Sequence, residues 1–375
     1  MAIDKVTTAA ITDSSVTDAK LSFNANQFRN IIINGDMSIA QRATSATALA
    51  HQQYLTVDRW TQNLTSSTLA FTGEQSTDSP EGFDYSYKIS CTTAEASLAA
   101  SSRFFPYYRV EDSNLGYLKF GSSSAVDLTM SFYVKSNKTG TYQINLWHNN
   151  VSGFISGTYT ISSANTWEKK TIVFKGDQGT AMGNDAGVGL QLEFVLASGS
   201  DYTGGTFIPN TTTTYPSYAA NTRAANQGVN LADSTSNTWQ ITGLQLEVGS
   251  AASDFESLPT DVNLQRCYRY YEVIVSGNTK VIAPAITYTA STAAGIINFK
   301  TTKRATPTLD AVTGSDYYEF FRNGATPEYS SFAIGDASVN LCYISGNSAS
   351  STTAGYAGYL QTNNASSFIA FDSEL

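Results

Sequence analysis

Short runs in which apolar and polar side chains alternate, closed by Gly, Asn, Asp and Thr, recur from residue 31 almost to the end of this chain. A period of two sends successive side chains to opposite faces, so these runs form strands with one buried face. Leu128 to Val134, Tyr142 to Trp147, Trp167 to Phe174, Val188 to Leu196 and Thr238 to Val248 all show the pattern. Ile31-Ile32-Ile33, closed by Asn34-Gly35-Asp36, is a further strand candidate. The turn sequence Asn137-Lys138-Thr139-Gly140 between the first two runs predicts a hairpin. The stretch 201–236 is polar, carries Thr211-Thr212-Thr213-Thr214 and reads as an extended surface loop. An all-β fold follows, with a jelly-roll-like antiparallel β-sandwich over residues 31–258.

Three segments stand outside that sandwich. Pro259 and Thr260 can open a helix, Val262, Cys267, Tyr270, Tyr271 and Ile274 give it a stripe, and Ser276-Gly277-Asn278 can end it, so one short connecting helix is expected over 259–279. Residues 280–375 return to strands and predict a smaller C-terminal β module, with runs at Ala285 to Tyr288, Gly295 to Lys300, Ser331 to Ile334, Asn340 to Ile344 and Phe368 to Phe371. In residues 1–30, Val6, Ile11, Val16 and Leu21 recur every five residues, which suits neither a lone helix nor a strand. One copy cannot bury that row against itself. Such an extended arm either stays disordered or becomes ordered on another chain, as a docking segment or around a shared axis.

Much chemistry is excluded by what the chain lacks. The 2 histidines, His51 and His148, lie in unrelated contexts, and the 3 cysteines, Cys91, Cys267 and Cys342, lie far apart without CxxC spacing. Histidine triads and zinc sites therefore have no material, no P-loop or GxGxxG is present, and neither a cofactor nor a metal is expected. A net charge of -9 without any Lys/Arg run argues against nucleic acid as a partner. The opening residues contain no signal-peptide core, and no run approaches the ~18 apolar residues of a membrane span, so membrane insertion is not expected and folding in a cytoplasm is.

Carboxylates and aromatic rings remain. A glycosidase needs two acids at a set separation, and Asp58, Glu193 and Glu247 are the available ones, though paired structural acids are the plainer reading. Asp177 and Asp185, in the Gly-rich stretch Gly176 to Gly189, offer oxygens for Ca²⁺ but without the spacing of an EF-hand. Sugar rings stack on aromatic side chains while amides and hydroxyls bind their hydroxyl groups. Trp60, Trp147, Trp167 and Trp239 sit in or beside predicted strands and read mainly as core. Tyr107, Tyr108, Tyr202, Tyr215 and Tyr218 lie near Pro, Gly and Asn in loop-like sequence and are the candidates for glycan contact.

Several segments, in order along the chain, resemble bacteriophage tail-fibre and virion structural proteins. Asp4-Lys5-Val6-Thr7 followed by Ile11-Thr12-Asp13-Ser14-Ser15-Val16-Thr17-Asp18-Ala19-Lys20-Leu21 is similar to repeats near the N-termini of such fibres. Asn30 to Met37 with Ala40-Gln41-Arg42 and Thr56-Val57-Asp58-Arg59-Trp60 resembles the opening of their carbohydrate-binding-module-like sandwich, and Gly243 to Ser250 with Asp254-Phe255-Glu256 and Cys267 to Tyr271 resembles its close. Arg304 to Thr308 and the final Phe371-Asp372-Ser373-Glu374-Leu375 are similar to marks of the C-terminal module. The resemblance implies a non-enzymatic virion subunit assembled in the host cytoplasm. It further implies a homotrimer joined to tail, baseplate or head proteins through Val6, Ile11, Val16 and Leu21, with a host-surface polysaccharide as ligand. It implies structural roles for Asp58, Arg59 and Trp60 as an ion-paired, packed corner, and for Glu247 at a strand end. An architectural decoration protein without a ligand and a polysaccharide depolymerase are the alternatives.

Overall fold

A computed structural model describes residues 28–66, 68–324, 326–347 and 353–375. The row Val6, Ile11, Val16 and Leu21 lies outside them. The first part carries β1 (Ser45–Ala46), β2 (Trp60–Thr65), β3 (Ala70–Ser76), β4 (Ser86–Thr93), β5 (Arg103–Glu111), β6 (Leu128–Ser136), β7 (Gly140–His148), β8 (Gly153–Ile161), β9 (Glu168–Phe174), β10 (Val188–Phe194), β11 (Ala197–Ser198) and β12 (Thr238–Val248). They form two antiparallel sheets, β1-β3-β4-β12-β6-β9 and β11-β5-β10-β7-β8, with β2 also paired to β5 in the second. The all-β sandwich expected from the alternation is present.

Strand neighbours differ from expectation in one place that matters. Although β6 and β7 flank a turn, β6 pairs with β12 and β9, while β7 pairs with β10 and β8. The connection crosses between sheets. Met130, Phe132 and Val134 meet the same core that Tyr142, Ile144 and Leu146 enter from the other side. Alternation dictates which face is buried, not which strand lies alongside, so a hairpin and a crossing are equally consistent with it. Ile31 to Ile33 form no strand either. The Asn30 side chain accepts from the Ile32 and Leu246 N–H groups, and Asn34 bonds Ile39 and Asn263, so side chains take the place of a ladder.

Helix α1 (Thr260–Tyr268) is shorter than expected, and Tyr271–Ser276 is strand β13. Consecutive Val273, Ile274 and Val275 favour extended backbone, which overrides the weak helical stripe. The chain continues through β14 (Val281–Thr287), β15 (Thr292–Asn298), β16 (Thr308–Ala311), β17 (Tyr318–Phe321), β18 (Glu328–Tyr329), β19 (Ala333–Gly335), β20 (Leu341–Asn347), β21 (Ala357–Thr362) and β22 (Phe368–Asp372). A seven-stranded sheet, β18-β17-β21-β14-β15-β20-β19, packs with the three-stranded sheet β13-β22-β16 around Tyr318, Phe320, Ile344, Leu360 and Phe371.

The two parts interlock through charged side chains near the last residues. Arg42 pairs with Asp372 at 2.9 Å and lies 3.5 Å over the Tyr271 ring; Arg59 pairs with Glu374 and lies 3.5 Å over Tyr270. Asp58 does not pair with Arg59. Its carboxylate accepts from the Gln41 backbone N–H and side-chain amide at 2.8 and 2.5 Å. Burial, only partly offset by Gln41 and Arg42, pushes the Asp58 carboxyl up to about 6.

The folded chain thus keeps the Asp58 proton to higher pH than the unfolded chain does. Stability from this residue is full below the ordinary aspartate range and is lost as pH rises through about 6. Asp58→Asn removes that loss, so urea unfolding should show the variant gaining on the natural chain by roughly 2–3 kcal/mol between about pH 4 and pH 8. A difference that stays constant with pH would contradict it.

Candidate glycan-binding face

The second sheet has one face in the core and one facing outward. On β5, β10 and β7 the core positions are Phe104, Tyr108, Leu190, Leu192, Phe194, Ile144 and Leu146, which leaves the alternate residues on the outer face. Across the strands, Arg109 stands opposite Gln191, Gln191 opposite Trp147, and Trp147 opposite Phe154. The adjacent row runs Thr61, Tyr107, Glu193, Asn145, Ser156. Two parallel rows of polar and aromatic side chains therefore cross one sheet.

The segment 201–236 crosses this face as the surface loop expected, pinned by a few buried side chains, among them Arg223. Arg223 projects onto it, with its guanidinium 4.9 Å from the Phe105 ring centre, 5.2 Å from Trp147 and 6.0 Å from Tyr218. Its Nε donates to Glu193 Oε1 at 2.8 Å, and Asn145 Nδ2 donates to the same oxygen at 3.0 Å. Gln143 and Asn145 amides also donate to the Arg223 carbonyl at 3.0 and 2.9 Å. Buried polar groups satisfy one another here, which is what makes burial of Glu193 tolerable.

Four of the five tyrosines proposed for glycan contact are buried, and that expectation is corrected. Tyr107 and Tyr108 belong to β5, not to a loop, and each is 1% exposed. Tyr107 lies beneath Arg109, 4.8 Å from its guanidinium, whereas Tyr108 points to the core and accepts from the Ile33 N–H. Tyr202 packs on Phe105 at 5.9 Å, and Tyr215 donates its hydroxyl to the Lys175 carbonyl at 2.7 Å. A ring offers so much apolar area that a polar segment folds its tyrosines inward and leaves its Thr and Asn outside. Tyr218 alone of the five is exposed, at 43%. It lies over Trp147 and Phe154 with ring centres 5.4 and 6.5 Å away.

Of the four tryptophans expected mainly in the core, Trp60 and Trp239 are there, while Trp167 and, on the outer face, Trp147 are partly exposed. The signal was present. In Tyr142 to Trp147 the apolar, core-facing phase is 142, 144 and 146, which sends Trp147 the other way.

Three guanidinium groups, those of Arg103, Arg109 and Arg223, lie near this face. Arg103 donates to Asn63 at 2.7 Å, and Arg109 donates to Gln191 at 3.1 Å and to the Leu375 carbonyl at 2.7 Å. Burial first, and then the fields of Arg103, Arg109 and Arg223, hold His51 below the ordinary imidazole range. The row sets the half-buried Trp147 ring beside the Gln191 amide and the Arg109 guanidinium, while Phe154 is buried.

The acids offered to a hydrolase are occupied elsewhere. Glu193 is held by Arg223, and Glu247 accepts from the Ser253 N–H and hydroxyl at 2.9 and 2.6 Å, with Arg29 at 3.4 Å. Asp177 accepts from Gly179 N–H, Tyr215 N–H and His148, and Asp185 from Gly187 N–H. No group of three His, Cys, Asp or Glu side chains able to hold a metal occurs among the described residues, nor does a helix long and apolar enough to cross a membrane.

No family model matches this chain, and no curated protein does. Among solved structures it is similar to the enzymatically active domain of bacteriophage CBA120 tailspike protein 4, at 11% identity and TM-score 0.30, over 59% of this chain and 22% of that one. It is similar to the family 11 carbohydrate-binding module from Clostridium thermocellum in complex with a β-1,3-1,4-mixed-linked tetrasaccharide, at 10% identity and TM-score 0.27, over 56% and 99%. A putative sugar binding protein from Bacteroides thetaiotaomicron VPI-5482 gives 11% identity and TM-score 0.29, over 59% and 100%. None of these identities and scores places the chain in a family.

Proposed function

We propose that this chain is a recognition subunit of a bacteriophage virion, a short tail fibre or similar appendage. In this reading it docks through residues 1–30, assembles as a homotrimer and binds host-surface glycan without cleaving it. The observation that carries glycan binding is the row Arg109, Gln191, Trp147, Phe154 with Tyr218 laid over its aromatic end. A pyranose stacks an apolar face on Trp147 and Tyr218 while Gln191 and Arg109 take its hydroxyl groups. The virion assignment draws on the sequence resemblance, whose marks run from Asp4 to Leu375.

Labelled protein should adsorb to host cells, and soluble surface polysaccharide should compete it off. Combined Trp147→Ala and Tyr218→Ala should weaken adsorption by about 10-fold or more, the loss of roughly 1.4 kcal/mol of stacking. New reducing ends released from the polysaccharide by the intact chain would replace this reading with the depolymerase. Unchanged adsorption by the double variant would put the contact elsewhere on the chain, and no adsorption by the intact chain would favour the architectural decoration protein.

A further inference from the structure

The seven-stranded sheet of the second part also has two faces, and the middle of its outer one is apolar. On β14 the residues turned away from the core are Pro284 and Ile286, with Ile286 opposite Ala294 on β15 and Ala357 on β21. One row crosses the sheet as Phe321, Tyr359, Pro284, followed by Ile296 and Tyr343 on β15 and β20. Ile286 is 49% exposed and Ile296 58% exposed. Of the 12 exposed large hydrophobic residues among the described ones, 8 lie in residues 271–375, so the exposure is concentrated in this part.

A soluble strand ordinarily turns polar side chains to water on its outer face. Here a hollow of about 930 Å³ lies on that face, and none of the 12 residues lining it is charged. Asn298 and the hydroxyls of Tyr288 and Tyr343 are the side-chain polar groups it presents. That is poor equipment for a sugar, whose many hydroxyl groups need partners.

We infer that this face is where copies of the chain meet, sheet against sheet. Each copy carries a net charge of -9, so identical copies repel over most of their surfaces and approach most favourably where no charge is present. A self-complementary patch must be compatible with itself, and the uncharged apolar patch in the middle of this sheet meets that condition where a patch of one charge sign would not. Apolar sheets stack at about 10 Å, which lets the Ile286, Ile296 and Leu341 side chains of one copy interdigitate with those of the next. Such a face-to-face contact pairs two copies about a two-fold axis, beyond the homotrimer of the proposed function, and it is independent of glycan binding.

Sedimentation equilibrium of the full chain, natural and carrying Ile286→Lys with Ile296→Lys, tests it. Both residues are exposed, so the variant should keep its melting temperature, and its molecules should still bind glycan one at a time. The natural chain should associate reversibly, and the variant should require roughly 100-fold higher concentration, because each contact would bury unpaired ammonium groups. Two results would overturn the inference: a natural chain that stays monomeric over the accessible range, or a folded variant that associates as strongly as the natural chain. Failure of the natural chain to bind glycan would count against the proposed function alone, since the two are read by different measurements.

Discussion

Trp60→Ala should lower the free energy of unfolding by about 3–5 kcal/mol, a large part of what holds a typical domain together. Trp60 is 2% exposed, in β2 of the second sheet, and its ring lies 5.5 Å from Tyr87 of the first sheet and 6.1 and 5.8 Å from Tyr108 and Phe194 of its own. Truncation would open a void where the two sheets meet, and rings locked on three sides cannot collapse into it. Chemical denaturation followed by tryptophan fluorescence and circular dichroism measures the effect. An unchanged midpoint together with lost glycan binding would mean that Trp60 belongs to the site and not to the core.

Arg223→Met should cost about 3–5 kcal/mol, because it leaves the Glu193 carboxylate buried with Asn145 as its remaining side-chain donor. Most of that cost is the stranded charge. Adding Glu193→Gln removes it, so the double variant should recover the larger part of the stability that Arg223→Met loses. Simple additivity of the two single effects would show that the pair is not coupled. Tyr218 should also lose its place in the Arg223 variants, since the guanidinium that it shares with Trp147 and Phe105 is gone. Glycan affinity should fall even in the stable double variant.

Much of the architecture was legible because alternation reports burial directly. Thr238–Val248 was read with both ends in place, and Glu168–Phe174 and Leu341–Asn347 within a few residues. Partners were not legible, since a strand has the same alternation whether its neighbour is adjacent in its own sheet or across the core; hence the β6–β7 crossing was read as a hairpin. Strand β8 was missed. Gly153 and Gly157 interrupt its pattern, and Gly157 is there because a side chain would meet Ile172 Cγ2 at 2.7 Å.

The candidate site was legible only in part. Polarity placed 201–236 on the surface, where most of it lies, but not the buried Arg223, Tyr202, Tyr215, Val229 and Leu231 that pin it to the protein. Long-range ion pairs such as Arg223–Glu193 and Arg59–Glu374 leave no local trace in sequence, so neither the closure of that segment nor the clasp between the two parts could be read. Only the phase of β7 pointed to Trp147.

Titration calorimetry of purified host-surface oligosaccharides into the intact chain and into Trp147→Ala tests the central claim most directly. Glycan recognition on the outer face of the second sheet predicts one saturable site per chain, weakened by about 10-fold or more in the variant at unchanged melting temperature. Equal affinity of the two proteins, or no binding by the intact chain, would contradict it.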